Sequence, residues 1–104
     1  MLRIAFKMKL YPGQAEEYRR RHDALWPELV DLLREKGIRE YSIFLEEETH
    51  ALFGVLDIGQ PTNLHELRSH PIMQRWWAYM ADIMEANPDH SPVTVPLQEV
   101  FYLK

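Results

Sequence analysis

Four stretches of the chain have the residue pattern of a β-strand, with apolar residues at alternating positions most clearly in the first. The first strand is predicted over residues 4–10, where every second residue is apolar. Two more are predicted at about 38–45 and over 51–58, joined as a hairpin by the charged tip 46–50. A last strand is predicted over 97–103, where both faces carry aromatic or branched residues.

The stretch between the first two strands follows the helical period instead. Its apolar residues recur at the i, i+3, i+4, i+7 spacing of one helix face, at Ala15, Tyr18, Leu25, Leu29 and Leu32. Pro27 interrupts this face, and because proline lacks an N–H it costs a continuous helix roughly 3 kcal/mol. We therefore predict a kink or restart at Trp26–Pro27, and Gly37 as the left-handed C-cap.

A second helical region lies between the third and fourth strands. Pro61 and Asn63 predict a short helix, and a further helix is predicted over 72–84. Its apolar stripe is wider than one contact surface needs. Since successive helical residues point about 100° apart, Trp76 and Trp77 cannot occupy the same core position. One of them is therefore expected to line something else.

The predicted order β–α–β–β–α–β indicates an α+β, ferredoxin-like fold with an antiparallel sheet. Both helical regions would cover one face of that sheet, within a single domain over residues 1–104. The other face would stay uncovered although it carries apolar residues. A second sheet from another subunit is its natural cover, so the sequence also predicts a homodimer.

Composition removes several function classes. The chain has no cysteine, which excludes disulfides, thiolate metal sites and cysteine nucleophiles and fits a cytoplasmic protein. Twelve Lys and Arg stand against 16 Asp and Glu, so no global positive field favours nucleic acid. The basic run Arg19–Arg21 is flanked by acidic residues and is expected to be a solvated, salt-bridged helix face. The first ten residues lack the apolar run of a signal peptide or membrane span, so we expect no membrane partner.

The candidate chemistry is aromatic and polar. No phosphate-binding glycine loop, nucleophile elbow or zinc signature is present, and the five histidines are scattered, so we expect neither a metal nor a cofactor. His22 shares the apolar stripe with Tyr18, although a lone histidine on such a face is more often a hydrogen-bonded core residue. Residues that could meet it around one cleft are Tyr18, Tyr41, Trp76 and Trp77. Such a set suits an uncharged polyhydroxylated ligand, which stacks on indole and bonds to phenol and imidazole.

At these residues the sequence resembles a known family. The blocks YRRRHDALWPEL, EYSIFL, QRWWAYM, NPDHSPV and LQEVFYL look like the signature blocks of L-rhamnose mutarotases, small cytoplasmic enzymes of rhamnose metabolism. The resemblance implies that His22 is the proton donor. It also implies that Tyr18, Tyr41, Trp76 and Trp77 bind the substrate, L-rhamnose, and that the chain forms a dimeric α/β barrel.

The expected reaction is the interconversion of the α and β anomers of the sugar. Opening a pyranose needs a proton at the ring oxygen while the anomeric hydroxyl loses one, and a histidine of ordinary pKa ~6.5 exchanges protons near neutrality. His22 is the expected acid. The base stays open among Tyr18, Tyr41 and a bound water.

Two other functions remain possible at this point. The same architecture hosts small dimeric-barrel monooxygenases and haem-handling proteins, because fold does not fix function; visible absorbance of the purified protein would favour that class. A non-enzymatic ligand-binding or stress protein is the third hypothesis, distinguished from an enzyme by binding without turnover.

Overall fold

The computed structural model describes residues 2–59 and 64–104. The elements found there are four strands and four helices: β1 (Leu2–Lys9), α1 (Ala15–Asp23), α2 (Pro27–Glu35), β2 (Ile38–Glu46), β3 (Ala51–Ile58), α3 (Leu64–Ser69), α4 (Pro71–Met80) and β4 (Val95–Leu97). β1, β2 and β3 confirm the first three predicted strands.

The strands form one sheet in the order β2-β3-β1-β4, and all neighbours are antiparallel. This confirms the predicted α+β, ferredoxin-like arrangement with the helices on one side. The core lies between sheet and helices, where Leu52 and Leu56 of β3 pack with Leu29 of α2 and Met80 of α4. Because side chains alternate along a strand, Phe53 and the other odd-numbered residues of β3 face away from the helices.

The predicted interruption at Pro27 is confirmed. α1 ends at Asp23, Trp26 has extended backbone at φ −62° and ψ 129°, and α2 begins at Pro27. The carbonyl of Trp26 accepts the N–H groups of Leu29 and Val30 at 3.0 and 3.1 Å, so the second helix starts without needing a proline donor. Gly37, at φ +93°, ends α2 as predicted.

The last predicted helix was too long. α4 stops at Met80, whereas the prediction ran to residue 84. Beyond it the chain turns to reach the end of β1: the N–H of Tyr11 bonds to the carbonyl of Ile83 at 2.9 Å, and Leu10 bridges Met84. Ile83 and Met84, the last two residues of the predicted apolar stripe, are still buried, with 3% of each exposed. The helix therefore ends because these residues pair with the end of β1, and not because the sequence becomes polar. α3 is present, but Pro61 and Asn63 lie outside the described residues.

The last strand was placed wrongly. β4 covers only Val95–Leu97 and pairs with β1 through Ala5, Phe6 and Lys7, whereas the sequence predicted 97–103. Residues 98–104 have no regular structure. Val100, Phe101 and Leu103 are 89%, 78% and 80% exposed, since within the described part of this single chain no layer covers them. Branched and aromatic residues favour a strand only when they have a surface to pack on.

No helix among the described residues combines the length and the apolar character needed to cross a membrane.

Candidate active site

One large cavity lies between the sheet and the helices, with a volume of about 1010 Å³. All five candidate residues line it: Tyr18 and His22 from α1, Tyr41 from β2, and Trp76 and Trp77 from α4. The residues that the strand and helix periods placed on inward faces therefore line the same cavity. Aliphatic side chains line much of the remaining wall, among them Ile4, Met8, Leu25, Ile43 and Met73.

His22 is held by its own helix and by two aromatic rings. Its Nδ1 lies 3.0 Å from the carbonyl oxygen of Tyr18, one turn earlier. The Tyr18 ring stacks on the imidazole at 4.3 Å between centroids, and the Trp76 ring meets it edge-on at 5.3 Å. Burial lowers the pKa of His22 below its ordinary value, opposed by the Tyr18 carbonyl and by Asp23. The neutral ring is thus the resting form near pH 7.

The two phenols of the cavity stay protonated. Burial raises the pKa of Tyr18 well above its ordinary range, and the neighbouring Tyr41 contributes to that rise. Burial likewise raises the pKa of Tyr41, although 39% of its surface is exposed. That exposure agrees with its position on the cavity wall, where little bulk water solvates a phenolate. Both side chains can therefore donate hydrogen bonds, while neither forms a phenolate base near neutrality.

The adjacent tryptophans play unequal parts, as the 100° turn between them predicted. Trp76 is 6% exposed and packs edge-on against Trp26, with 5.2 Å between ring centroids. Trp77 is half-buried, and the Arg68 guanidinium lies over its ring at 5.3 Å from the centroid. Trp76 therefore supports His22 from the core, whereas Trp77 offers more open ring surface.

Phe6 lies across the sheet from Tyr41 and is a cavity-wall residue outside the sequence motifs described above. Its ring meets that of Tyr41 edge-on at 6.2 Å. Phe6 pairs with Gly54 on β3, and a Cβ built on that glycine would lie 2.6 Å from the phenyl Cζ. The ring is thus seated directly on the glycine backbone. Alternation along β1 gave the only sequence signal for Phe6.

Arg21 corrects the prediction that the basic run is solvated. Arg20 fits it, with its guanidinium on Glu17 at 2.6 Å and 62% of its side chain exposed. Arg21 is only 9% exposed and reaches the far end of α4, where Nη1 donates to the Tyr79 carbonyl at 2.6 Å and to Asp82 at 2.8 Å. The only sequence signal was its i+4 spacing from Glu17, which also holds it, at 2.7 Å.

The other four histidines lie apart from this cavity. His70 caps α4, with Nδ1 accepting the N–H of Ile72 at 3.1 Å, while His50 and His90 occupy turns at φ +62° and +73°. His65 lines a separate depression of about 270 Å³. Within residues 2–59 and 64–104, His, Asp and Glu form no group of three suited to a metal ion.

Comparison with known proteins gives the same family from three directions. The sequence model of a family described as L-rhamnose mutarotase matches residues 3–103. The L-rhamnose mutarotase of Sinorhizobium fredii is 61% identical over 103 residues, covering 99% of each chain. The crystal structure of an L-rhamnose mutarotase from Formosa agariphila superimposes with a TM-score of 0.93, at 50% identity over the whole of both chains.

More distant structures share the fold alone. An antibiotic biosynthesis monooxygenase superimposes with a TM-score of 0.61 at 13% identity, covering 96% of this chain and 99% of that one. This supports the ferredoxin-like assignment, and the low identity carries no further argument. The monooxygenase alternative is therefore not favoured.

Proposed function

This chain belongs to the L-rhamnose mutarotase family, and we propose that it interconverts the α and β anomers of L-rhamnose by proton transfer at His22. The single observation that carries the proposal is the constellation around that ring. A neutral imidazole is oriented by the Tyr18 carbonyl at 3.0 Å and opens on a cavity that also contains two protonated phenols.

The chemistry requires only protons to move. Ring opening takes the proton of the anomeric hydroxyl, breaks the bond between C1 and the ring oxygen, and places a proton on that oxygen. Rotation about C1–C2 then presents the other carbonyl face for reclosure. His22 delivers the proton to the ring oxygen, and because no electron or phosphoryl group is transferred, we propose that the reaction needs no metal or organic cofactor.

The cavity walls suit a deoxy sugar. Aromatic faces at Phe6 and Trp77 and aliphatic side chains such as Ile43 offer surfaces for sugar C–H groups and for the 6-methyl group. The Tyr18 and Tyr41 hydroxyls can donate to sugar oxygens, and Trp76 braces the imidazole from the core. We propose these four aromatic side chains, Tyr18, Tyr41, Trp76 and Trp77, as the substrate-binding set around His22.

The proposal is tested by anomer exchange at equilibrium. One anomeric proton of L-rhamnose is saturated by NMR and the other is observed, with and without protein. Saturation transfer above the protein-free sugar is expected, with an unchanged anomer ratio because a catalyst lowers both barriers equally. A matched control is His90→Asn, which removes an imidazole from an exposed turn at φ +73°, a conformation that asparagine tolerates. No enhancement by the folded native chain would contradict the proposed function.

We also propose a homodimer and a cytoplasmic location. The sheet face opposite the helices carries the row Phe44, Phe53, Lys7 and Val95, aligned by strand register. Phe44 and Val95 are 62% and 48% exposed, and a second copy would bury them. A cysteine-free chain acting on a free sugar fits the cytoplasm.

A further inference from the structure

We propose that His22 supplies both proton transfers through one atom, Nε2, which first acts as the base toward the anomeric hydroxyl and then as the acid toward the ring oxygen. No separate catalytic base is then needed. This inference rests on the proposed function and names the base that the sequence left open among Tyr18, Tyr41 and a bound water.

The hydrogen bond at Nδ1 fixes the starting form of the ring. A backbone carbonyl only accepts, so the 3.0 Å contact with the Tyr18 oxygen requires Nδ1 to carry a proton. In a neutral imidazole the other nitrogen, Nε2, is then an unprotonated acceptor. Among the described residues, no side chain or backbone group hydrogen-bonds to Nε2. The resting ring can therefore take a proton at Nε2 but has none to give there.

The two phenols are poor alternatives. Burial raises the pKa values of Tyr18 and Tyr41, so a phenolate is scarcely populated near neutrality. Their hydroxyls can instead stabilise the sugar oxygens by donating hydrogen bonds while charge shifts. The Tyr18 carbonyl has a second task, since its bond to Nδ1–H persists when Nε2 is protonated and stabilises the transient imidazolium.

The sequence of bonds balances with this one group. Nε2 takes the proton of the anomeric hydroxyl; that O–H electron pair becomes the second C1–O bond, and the pair of the bond from C1 to the ring oxygen moves onto the ring oxygen. The imidazolium then gives its Nε2 proton to that oxygen, and His22 is neutral again. After rotation about C1–C2 the same steps run in reverse order on the other face.

One nitrogen can reach both oxygens because both are bonded to the same carbon, C1. A group at hydrogen-bond distance from one, ~2.6–3.2 Å, needs only a small shift of the sugar to approach the other. The stacked Tyr18 ring and the edge of Trp76 hold the imidazole in place while the sugar moves. A pair of fixed groups on opposite sides of C1 is thus unnecessary.

Several charged groups share this cavity and must be separated from His22 in any pH experiment. They are Glu16, Arg19 and Asp23 of α1, Glu47 in the turn after β2, and Arg68 of α3. The Asp23 carboxylate favours the imidazolium. Trp76, the α4 side chain that contacts the ring, has no charge.

The test is the pH dependence of anomer exchange by the native chain, corrected for the protein-free rate. If neutral His22 starts the reaction, kcat/KM is level above neutrality and falls tenfold per pH unit below the pKa of His22, which burial holds under its ordinary value. The midpoint of this pH profile must match the pKa of the His22 ring measured by NMR titration. That match distinguishes ionisation of His22 from ionisation of the nearby carboxyl groups. If the rate of anomer exchange instead declines as pH rises through that midpoint, the imidazolium is the resting donor. That result would overturn this inference and leave the proposed function standing.

Two further measurements decide the same point. Nitrogen chemical shifts of the His22 ring at pH 8 should report a protonated Nδ1 and a bare Nε2; the opposite tautomer would contradict the proposal. In Tyr18→Phe and Tyr41→Phe the acidic limb should keep its slope. Loss of about 10²-fold or more in kcat in either variant, with the limb abolished, would identify that phenol as the base. No exchange at any pH would overturn the proposed function, and this inference with it.

Discussion

At the scale of single residues, the meaning of His22 depends on what surrounds it. A half-buried histidine bonded to the carbonyl one turn earlier has the features of a core residue. The same bond leaves Nε2 without a hydrogen-bond partner among the described residues, on a ring that lines a large cavity with two phenols on its walls. Structural and catalytic roles are therefore joined in one ring: Nδ1 fixes the geometry, and Nε2 is left to react.

Replacing His22 by Ala should suppress kcat by ~10²–10⁴-fold, the usual contribution of a positioned acid or base. KM should change far less, because the lost interaction belongs to the transition state. Anomer exchange by NMR over a range of L-rhamnose concentrations separates the two constants. His90→Asn is the control for loss of an imidazole. A folded His22→Ala protein within about threefold of the native kcat, well under that range, would show that the proton-transfer residue lies elsewhere.

Tyr41→Phe should have the opposite signature. Its hydroxyl is assigned to hydrogen bonding of the sugar, and losing one such bond costs ~1–2 kcal/mol, or roughly 5–30-fold. The change should appear mainly in KM, with kcat retained within that factor. Tyr11→Phe, which removes a hydroxyl from an exposed ring beyond the end of β1, should leave both constants unchanged. A purely kcat effect in Tyr41→Phe would instead give this phenol a part in proton transfer.

At the scale of the elements, Arg21 connects the two helices that carry the site. Its guanidinium donates hydrogen bonds to Glu17 on α1, to Asp82 after α4 and to the Tyr79 carbonyl in the last turn of α4. It also lies over the Tyr79 ring, 4.4 Å from the centroid. A cation at a helix C-terminus is favoured by the helix dipole. Since His22 is the next residue, this connection fixes the imidazole relative to Trp76.

Arg21→Ala should therefore lower stability and activity together. Hydrogen bonds to a charged group contribute ~1.5–3 kcal/mol, and a shift of about 1 Å in a catalytic group can cost ~10²-fold. Urea unfolding and anomer exchange measure the two effects. Arg20→Ala is the matched control, since its ion pair with Glu17 is exposed and solvent screening leaves such a pair little effect on stability. Arg21→Lys should recover only part of the loss because a lysine cannot bridge all three partners.

An Arg21→Ala protein that is less stable but exchanges anomers at the native rate would contradict a positioning role and leave a purely structural one. Equal losses in Arg21→Ala and Arg20→Ala would assign both to the exposed surface of α1.

How much of each element could be predicted depends on where its signal lies. The restart at Pro27 and the cap at Gly37 were predictable because missing donors and positive φ are local properties. Convergence of Tyr18, His22, Tyr41 and the tryptophans followed from the helical and strand periods, aided by the family resemblance. Arg21 was not predictable, because its partner Asp82 is distant in sequence and only the fold brings the two together. The prediction of where α4 ends failed for the same reason, because the contacts that end the helix are with residues distant in sequence, at the end of β1.

At the scale of the whole molecule, one chain leaves much apolar surface without cover. Besides the outer sheet face, the segment 98–104 exposes several large side chains, among them Phe101 at 78%. The Arg3 guanidinium lies over the Tyr102 ring at 4.8 Å, so this segment passes the start of β1 on an edge of the sheet. The prediction of a strand at 97–103 recognised the apolar character of this segment correctly. A strand would form there only against a surface to pack on, and the described part of one chain does not supply that surface.

The proposed homodimer would provide that surface, and light scattering at micromolar concentration should then give twice the 12.4 kDa chain mass. Phe44→Glu places a charge at the β2 end of the row Phe44, Phe53, Lys7 and Val95 and should shift the protein to monomer, because burying an unpaired carboxylate in an interface is costly. Tyr11→Glu is the matched control: it makes the same kind of change at an exposed aromatic residue, 42% accessible, beyond the end of β1. A native chain that scatters as a folded 12.4 kDa monomer would overturn the dimer. A dimer that survives Phe44→Glu would move the interface away from the outer sheet face, with the exposed segment 98–104 the next region to substitute.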